Sequence, residues 1–229
     1  RILYTGNLVR KNKTIIRDPA TNVGAPDYIV LESTYGNRLH ENTDEAMEIL
    51  AKVVKRARDT GGKIIIPAFA IERTQELVYY FHLLFEQRKI PEIPIYVDSP
   101  MATNATSIFQ VHPECYDEET HKAFLTHHKN PFGFNSLRFT QSVEESKHLN
   151  ELEGPMIIIS ADGMCEAGRI VHHLYNNIED PNTTILLVGF MAENTLGRRL
   201  QNGEEEVKVI GEWKKVRAKV EQINAFSAH

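Results

Sequence analysis

The sequence of 229 residues has little cysteine, a single tryptophan and no long apolar run. Its two cysteines, Cys115 and Cys165, are too few and too far apart for a disulfide framework and are typical of a reducing compartment, so we expect a cytoplasmic protein. No segment approaches the roughly 20 consecutive apolar residues of a membrane span, and we expect no membrane partner. The net charge of −5 gives no overall attraction to nucleic acid, so any such binding must be local.

Short metal-binding motifs are also missing. No H-x-H-x-D, HExxH or CxxC spacing occurs, and a Walker phosphate loop is excluded because its GK[ST] ending is absent. Two pairs of adjacent histidines, His127–His128 and His172–His173, are present. Neighbouring side chains point apart in both helices and strands. We therefore expect these histidines at the surface or at an edge rather than in a metal site.

What the sequence does have is an alternation of short apolar runs with helical patterns. This alternation predicts an α/β fold with a parallel sheet and helices on both faces. The polar segment from about 111 to 149 predicts helices and loops along one edge. From Glu212 strict alternation of charged and apolar residues predicts one half-exposed strand. The runs that predict buried or β-rich strands lie at 27–33, 63–70, 94–98, 155–160 and 183–190.

The ends of these strands carry the candidate functional residues, because function gathers at the carboxyl ends of strands in an open parallel sheet. Glu32 ends one strand, where a lone carboxylate more often caps its own turn. Arg73 stands in the first turn of a helix, where the helix dipole disfavours a cation. An anionic contact would explain that arginine, and a solvated surface position would explain it equally well.

A glycine-rich turn, ISADGMCEAGR, follows the strand at 155–160. Backbone N–H groups around Ser160 and Gly163 could hold a phosphate, although the carboxylate of Asp162 would oppose an anion. A tight turn that simply needs glycine is the open alternative. The segment GFMAENTLGRRL repeats this design one strand later, with Arg198 supplying positive charge.

Seven short segments spread over nearly the whole chain carry a family resemblance. The segments are YTGN, LESTYGNRLHE, IPAFAIERTQEL, YVDSPMA, ISADGMCEAGRIVHHL, VGFMAENTLGRRL and the final FSAH. In this order they resemble the metallo-β-lactamase fold nucleases of the β-CASP group, which includes RNase J, archaeal and bacterial RNA-processing homologues and the endonuclease subunit of the pre-mRNA 3′-end cleavage complex.

The resemblance implies a three-layer αβα β-CASP domain that is inserted in a metallo-β-lactamase domain and covers its two-zinc site. It implies a partial metallo-β-lactamase segment at residues 1–38, the β-CASP domain at 39–210 and a return segment at 211–229. The family's H-x-H-x-D-H stretch would lie upstream of Arg1, and a last functional histidine downstream of His229. We therefore expect two zinc ions in a longer protein, and neither bound zinc nor activity in this chain alone.

The resemblance also implies roles for single residues. It makes His229 and Glu32 catalytic and places them together at one crevice, with Glu32 orienting the histidine beside the scissile phosphate. Asn7 stands where the family has an aspartate that bridges both metals, and an uncharged amide with one carbonyl oxygen is a poor replacement. With the strand-end residues included, the expected substrate contacts are Ser227, Arg73, Ser160, Gly163 and Arg198.

We therefore expect part of a zinc-dependent endoribonuclease that hydrolyses single-stranded RNA. A non-catalytic pseudo-nuclease that binds RNA or dimerises stays open, because of Asn7. Another hydrolase on the same fold, such as a DNA nuclease, is a weaker alternative, since LESTYGNRLHE and DSPMA resemble the RNA branch. Cations at 198–199 and 214–219 would suit a nucleic-acid backbone groove, although such runs usually form solvated faces.

Overall fold

The computed structural model describes residues 1–9, 11, 13–34, 36–37, 42–127 and 132–226, and for 123–127 the backbone alone. The strands in this part are β1 (Ile2–Tyr4), β2 (Tyr28–Val30), β3 (Lys63–Pro67), β4 (Ile95–Asp98), β5 (Leu137–Phe139), β6 (Met156–Ser160), β7 (Thr184–Leu187), β8 (Glu206–Val209), β9 (Glu212–Lys215) and β10 (Lys219–Gln222). The α-helices are α1 (Thr43–Thr60), α2 (Arg73–Glu86), α3 (Pro100–Val111), α4 (Glu118–His127), α5 (Val143–Glu151), α6 (Ile170–Asn177) and α7 (Leu196–Gln201), with a short 3₁₀ turn at Pro113–Cys115.

Six strands form one parallel sheet in the order β10-β7-β3-β6-β4-β5. At its centre Ile65 of β3 pairs with Ile158 of β6 and with Ile185 of β7. Since all six strands run the same way, their carboxyl ends meet along one side of the sheet, called the carboxyl edge below. The parallel α/β fold predicted from the sequence is confirmed.

Helices cover both faces of the sheet. Successive residues of a strand point to opposite faces, so Ile64 and Ile66 pack with α1, α2 and α3 in one core cluster. Ile65 lies in the second cluster, which contains apolar residues of α5, α6 and α7. The result is the expected three-layer αβα arrangement.

Local chemistry sets the ends of the first helix. The side chain of Asn42 accepts a hydrogen bond from the backbone N–H of Asp44 at 3.0 Å, which satisfies one of the free donors at the start of α1. Gly61 ends the helix in the left-handed conformation, with φ of 71°. Among the described residues, no helix combines the length and the apolar character that crossing a membrane requires.

Two segments differ from the sequence-based expectation. The polar segment at 111–149 contains β5, which pairs with β4 and forms one edge of the sheet, so helices and loops alone were the wrong prediction. The alternating residues from Glu212 form two strands instead of one. The first, β9, pairs with β8 as an antiparallel hairpin, and the second, β10, enters the central sheet beside β7. The same alternation suits a hairpin face and a sheet edge, so the pattern could not separate them.

A second, two-stranded parallel sheet is formed by β1 and β2. Its apolar side chains are largely exposed, with Ile2 at 71% and Tyr28 at 69%. The following segment joins the main domain at Ile15, which is buried in the core. Ile16 forms an antiparallel bridge with Tyr116. The small sheet is therefore anchored to the main domain through the chain that follows β1.

Candidate functional site

Glu32 and the loop that contains Asn7 lie side by side at the carboxyl ends of β1 and β2. The Glu32 carboxylate accepts a hydrogen bond from the backbone N–H of Leu8 at 3.1 Å through Oε1. Its Oε2 accepts another from Thr34 at 2.8 Å. The contact with Thr34 caps the turn that follows β2, as expected for a lone carboxylate at this position. The contact with Leu8 fixes the loop after β1, so two segments that are distant in sequence converge at the exposed Asn7.

Arg73 begins α2 directly after the loop that follows β3. Its Nη1 donates to Oε2 of Glu76 at 2.6 Å, and both side chains are largely buried. The anionic contact that would explain an arginine in the first turn of a helix is therefore made by Glu76 of the same chain. The Arg73 guanidinium also lies 5.9 Å from the ring centroid of Phe226, a distance suited to a cation–π contact. A contact of Arg73 with substrate stays a prediction.

The last described residues return to the core at the carboxyl edge. Beyond β10, Ile223 donates its backbone N–H to Leu187 at 2.9 Å. Phe226 is fully buried and stacks on Tyr80 with ring centroids 5.0 Å apart. Ser227 and His229 lie outside the described residues, so the expected meeting of His229 with Glu32 stays a prediction.

The glycine-rich turn after β6 uses its backbone donors internally. The carboxylate of Asp162 accepts from the N–H groups of Met164 and, at 2.8 Å, Ala167. Ser160 is buried and donates its hydroxyl to the carbonyl of Asp98 at 2.9 Å. Gly163 packs against an aromatic ring, because an added Cβ would approach Phe69 within 3.1 Å. The turn is held by its own carboxylate, and contact of Ser160 or Gly163 with substrate stays a prediction.

Arg198 lies in the first turn of α7, which follows β7. Its guanidinium is 5.7 Å from the ring centroid of the half-exposed Phe190. Its Nε is buried and has no hydrogen-bond partner in the part of the chain that the structure describes. A contact of Arg198 with substrate stays a prediction.

Four of the predicted substrate contacts share the carboxyl edge. The loop that carries Arg73 contacts the turn at Gly163 through Phe69, whose carbonyl accepts from Thr74 at 3.2 Å. The first turn of α7, which contains Arg198, lies next to the glycine-rich turn, since Gly197 donates its backbone N–H to the carbonyl of Met164 at 3.0 Å. Phe69 and Phe190, at 52% and 43% exposure, lie along this edge. The edge thus presents two aromatic rings to the outside, one of them beside the partly buried Arg198.

Sequence reasoning missed a buried ionic cluster behind this edge, centred on Asp98 at the end of β4. Arg169 Nη1 lies 2.7 Å and His173 Nε2 2.6 Å from the Asp98 carboxylate. Two hydroxyls donate to the same carboxylate, one of them that of Ser146 at 2.6 Å and the other that of Thr140. Burial raises the pKa of Asp98, but the hydrogen bonds from His173, Ser146, Thr140 and Arg169 outweigh it and lower the pKa to about 2.

The cluster links three elements to the glycine-rich turn. Arg169 follows that turn and also donates from Nη2 to the carbonyl of Gln141 at 2.7 Å. His173 is fully buried, so the expected surface position was wrong for this histidine, whereas His172 is exposed. A signal was present, because Ile170, His173 and Leu174 share the apolar face of one helix. His128 lies outside the described residues, as does the His127 side chain.

The described residues do not form a zinc site by themselves. No group of three or more His, Cys, Asp or Glu side chains in the described ranges lies close enough together to hold a metal ion. Both oxygens of Glu32 already accept backbone hydrogen bonds, and Asn7 offers one neutral oxygen. The metal position at Asn7 therefore stays a prediction.

Comparisons with known proteins give a consistent result. Residues 74–200 match the family model described as the Beta-Casp domain. Ribonuclease TTHA0252 of Thermus thermophilus is 34% identical over 228 residues, which cover all of the chain and 52% of that relative. The RNase J-like protein of Methanocaldococcus jannaschii is 31% identical, again over all of the chain and 52% of its own length. Transcription termination factor FttA of Methanosarcina mazei is 31% identical over all of the chain and 37% of its own length.

Proposed function

The chain belongs to the Beta-Casp domain family, and from this premise we propose that it is part of a ribonuclease that hydrolyses phosphodiester bonds of single-stranded RNA. The names of two relatives, a ribonuclease and an RNase J-like protein, support this choice. The chain spans about half the length of these two relatives. The remaining parts of the active site therefore belong, in this proposal, to residues outside the chain.

One observation carries the proposal most directly, namely the convergence of Glu32 and the Asn7 loop. The two segments are joined by a hydrogen bond from Leu8 to the Glu32 carboxylate, at the position where the family resemblance puts the catalytic centre. A carboxylate whose two oxygens are fixed by backbone donors can hold a neighbouring imidazole in one orientation. We assign this role to Glu32 and the imidazole to His229, with Ser227 donating to the substrate phosphate.

The carboxyl edge supplies the features that an RNA strand needs. Unpaired bases stack on exposed aromatic rings, and each base gains roughly 1–3 kcal/mol in this way. Phe69 and Phe190 are such rings. The guanidinium of Arg198 lies over one of them and carries a positive charge that suits a phosphate oxygen. Arg73, Ser160 and Gly163 complete the proposed substrate surface behind these rings.

We divide the chain into a partial metallo-β-lactamase segment at 1–38, a β-CASP domain at 39–210 and a return segment at 211–229. The separate β1–β2 sheet supports the first boundary, since its exposed apolar side chains call for cover from another part of the protein. The matched range, 74–200, lies within the second segment. Strand β10 pairs with β7, so the return segment completes the central sheet before it leaves the domain.

Metal dependence belongs to the same proposal. Two zinc ions, held mainly by residues outside this chain, would activate water and stabilise the phosphate charge when bound. A cytoplasmic location is also proposed, with support from the two free thiols of Cys115 and Cys165. Whether the protein forms a homodimer is left open.

A second candidate function follows from Asn7. A neutral amide in place of a bridging carboxylate weakens the binding of two divalent cations. The exposed Asn7 is thus compatible with a pseudo-nuclease that binds RNA, or an active partner, without cleaving. The variant Asn7→Asp discriminates the two candidates in the intact protein that contains this chain. Cleavage that appears only in Asn7→Asp favours the pseudo-nuclease, and cleavage by the unmodified protein favours the enzyme.

Glu32→Gln in the intact protein tests the enzymatic proposal. Loss of the charge that orients the general acid is expected to lower the cleavage rate by about 100-fold or more, while the affinity for RNA stays within twofold. Glu118→Gln is the matched control, since Glu118 is an exposed acid on α4. Removal of metal with EDTA should stop cleavage in the unmodified protein. Full activity of Glu32→Gln, or cleavage that survives EDTA, would contradict the proposal.

A further inference from the structure

A concentration of positive charge lies on the side of the domain opposite to the carboxyl edge. α1 and α2 both end next to the start of a strand, so their last turns lie at the amino ends of the sheet. Five exposed cations surround this place. We call the surface between them the basic groove. Its residues are Lys52, Lys55, Arg58, Arg88 and Lys89.

The basic groove is continuous. One surface cavity of about 500 Å³ is lined by Lys55, Arg58, Arg88 and Lys89 over a floor that includes Ile90. A second cavity of about 720 Å³ shares Lys55 and Lys89 and adds Lys52. Because the two cavities have these lysines in common, they form one depression along the α1–α2 junction. The first is a concave surface with cationic walls and an apolar base.

The charge in the basic groove is only partly offset. None of the five side chains forms an ion pair within the part of the chain that the structure describes. Three acids, Asp44, Glu48 and Asp59, line the same two cavities, so the five cations are in excess. Five cations that remain together in a chain of net charge −5 create a local field that attracts an anion.

The spacing of these cations fits a polymer better than a single small anion. Lys52, Lys55 and Arg58 recur every third residue on the outer face of α1. At a rise of about 1.5 Å per residue, Lys52 and Arg58 are separated by about 9 Å along the helix axis. Arg88 and Lys89 follow α2 on the other side of the depression. A row of cations along one wall and a pair on the other can follow successive phosphates of one strand.

We propose that the basic groove is a second binding site for single-stranded RNA, remote from the carboxyl edge. The choice of RNA rests on the proposed function, whereas the polyanionic character of the ligand rests on the groove itself. In this role the groove holds a part of the RNA distant from the bond that is cut. Long substrates then bind more tightly than short ones, without a change in the chemical step.

The test compares two triple variants of the intact protein. Lys52→Gln, Lys55→Gln and Lys89→Gln together remove three charges of the groove. Lys122→Gln, Lys147→Gln and Lys208→Gln together remove three exposed lysine charges elsewhere and serve as the matched control. A third variant, Lys52→Arg, Lys55→Arg and Lys89→Arg together, keeps the charge. Binding of a labelled single-stranded RNA of about 30 nucleotides, longer than the usual 4–16-nucleotide site, is measured against salt concentration.

We expect the groove variant to bind the long RNA at least about tenfold more weakly at 0.1 M salt, and its slope of log affinity against log salt to decrease by about 2, since each lost phosphate contact on a single strand removes roughly 0.7. The control and the arginine variant should keep the original slope. An RNA of about 5 nucleotides, too short to occupy both sites at once, should lose less affinity than the long RNA. Equal slopes for the groove variant and the control overturn the inference.

The same experiments distinguish failure of the ribonuclease proposal from failure of the second binding site. If the unmodified protein does not cleave RNA, the ribonuclease proposal fails, but the binding slopes still decide the groove. If the protein does cleave, the groove variant should raise KM for the long RNA and leave kcat unchanged. A lower kcat with an unchanged KM would contradict a remote binding role. Melting temperatures of all variants show whether a loss of binding reflects a loss of structure.

Discussion

The Nε2 atom of His173 lies 2.6 Å from the carboxylate of Asp98, and both side chains are fully buried. The other ring nitrogen, Nδ1, lies 2.9 Å from Oδ1 of Asn150, which also accepts a hydrogen bond from Asn177. Both nitrogens of the ring therefore lie within hydrogen-bond distance of an oxygen atom. Arg169 forms an ion pair with the same carboxylate. Asp98 at the end of β4 is therefore bonded to His173 in α6 and to Arg169 directly before that helix.

Asp98→Asn is expected to destabilise the protein by about 3 kcal/mol, because it leaves the partly buried guanidinium of Arg169 without its anion and the buried His173 without its carboxylate partner. Urea-induced unfolding followed by circular dichroism measures the change. The control is Glu118→Gln, which removes the exposed partner of Lys122 and should leave the midpoint unchanged. Equal midpoints for both variants would show that the buried cluster contributes no net stability.

The same carboxylate predicts a pH dependence. The pKa of Asp98 is lowered from 3.8 to about 2 by folding, so its contribution to stability is complete above pH 4 and is lost as the pH falls through 2. The shift corresponds to about 2 kcal/mol at roughly 1.4 kcal/mol per pH unit. Unfolding free energies measured between pH 2 and 5 should fall more steeply for the unmodified protein than for Asp98→Asn. Parallel curves would contradict the assignment.

Two glycines with the same backbone φ angle allow the cost of the left-handed conformation to be measured apart from the cost of a steric clash. Gly168 and Gly203 both have φ of 75°, but a Cβ on Gly168 would lie 2.3 Å from the carbonyl oxygen of Ala161, whereas a Cβ on Gly203 would meet nothing within 4 Å. Gly203→Ala should cost about 1 kcal/mol from the left-handed conformation alone. Gly168→Ala should cost at least about 2 kcal/mol more, since backbone must move. Thermal unfolding of both variants checks the difference.

The two thiols should react at very different rates. Cys115 is exposed and Cys165 is buried, and burial, together with the nearby carboxylates of Asp162 and Glu166, raises the pKa of the Cys165 thiol. Because the thiolate is the reactive form, a thiol reagent should modify Cys115 rapidly and Cys165 only after unfolding. Cys115→Ser should abolish the fast phase of reaction from this chain. A fast phase that persists in that variant would contradict the described packing of Cys165.

Arg198 and its neighbour give a matched pair for the proposed RNA contact. Arg198 lies over the half-exposed ring of Phe190, while Arg199 lies 3.4 Å from Glu204 in a half-exposed ion pair. Arg198→Ala should weaken RNA binding by about tenfold or more, because a hydrogen bond to a charged group contributes roughly 1.5–3 kcal/mol. Arg199→Ala should change it less than twofold. The measurement is an RNA-binding titration of both variants. Equal losses of affinity in the two variants would contradict a specific contact of Arg198 with RNA.

The sequence predicted the features that depend on local pattern. Apolar runs such as the one around Ile65 predicted buried strands, whereas for the glycine-rich turn the need for glycine, now seen at Gly168, was one of two open alternatives. What it could not predict depends on tertiary contacts. The partners of Asp98 come from α5, α6 and the loop after β5, and no spacing in the sequence joins them. The entry of β10 into the sheet likewise depends on pairing with β7, which is invisible in the alternation of its residues.

The position of β3 in the centre of the sheet has a consequence for synthesis on the ribosome. Ile64 pairs with Ile157 and with Thr184, so the strand that is made first among the three waits for both of its neighbours. Until translation has passed residue 187, one edge of β3 has unpaired backbone N–H and C=O groups. Pairing between such distant segments is intrinsically slow, and the nascent polypeptide therefore carries an open strand edge, which is prone to aggregation, through much of its elongation.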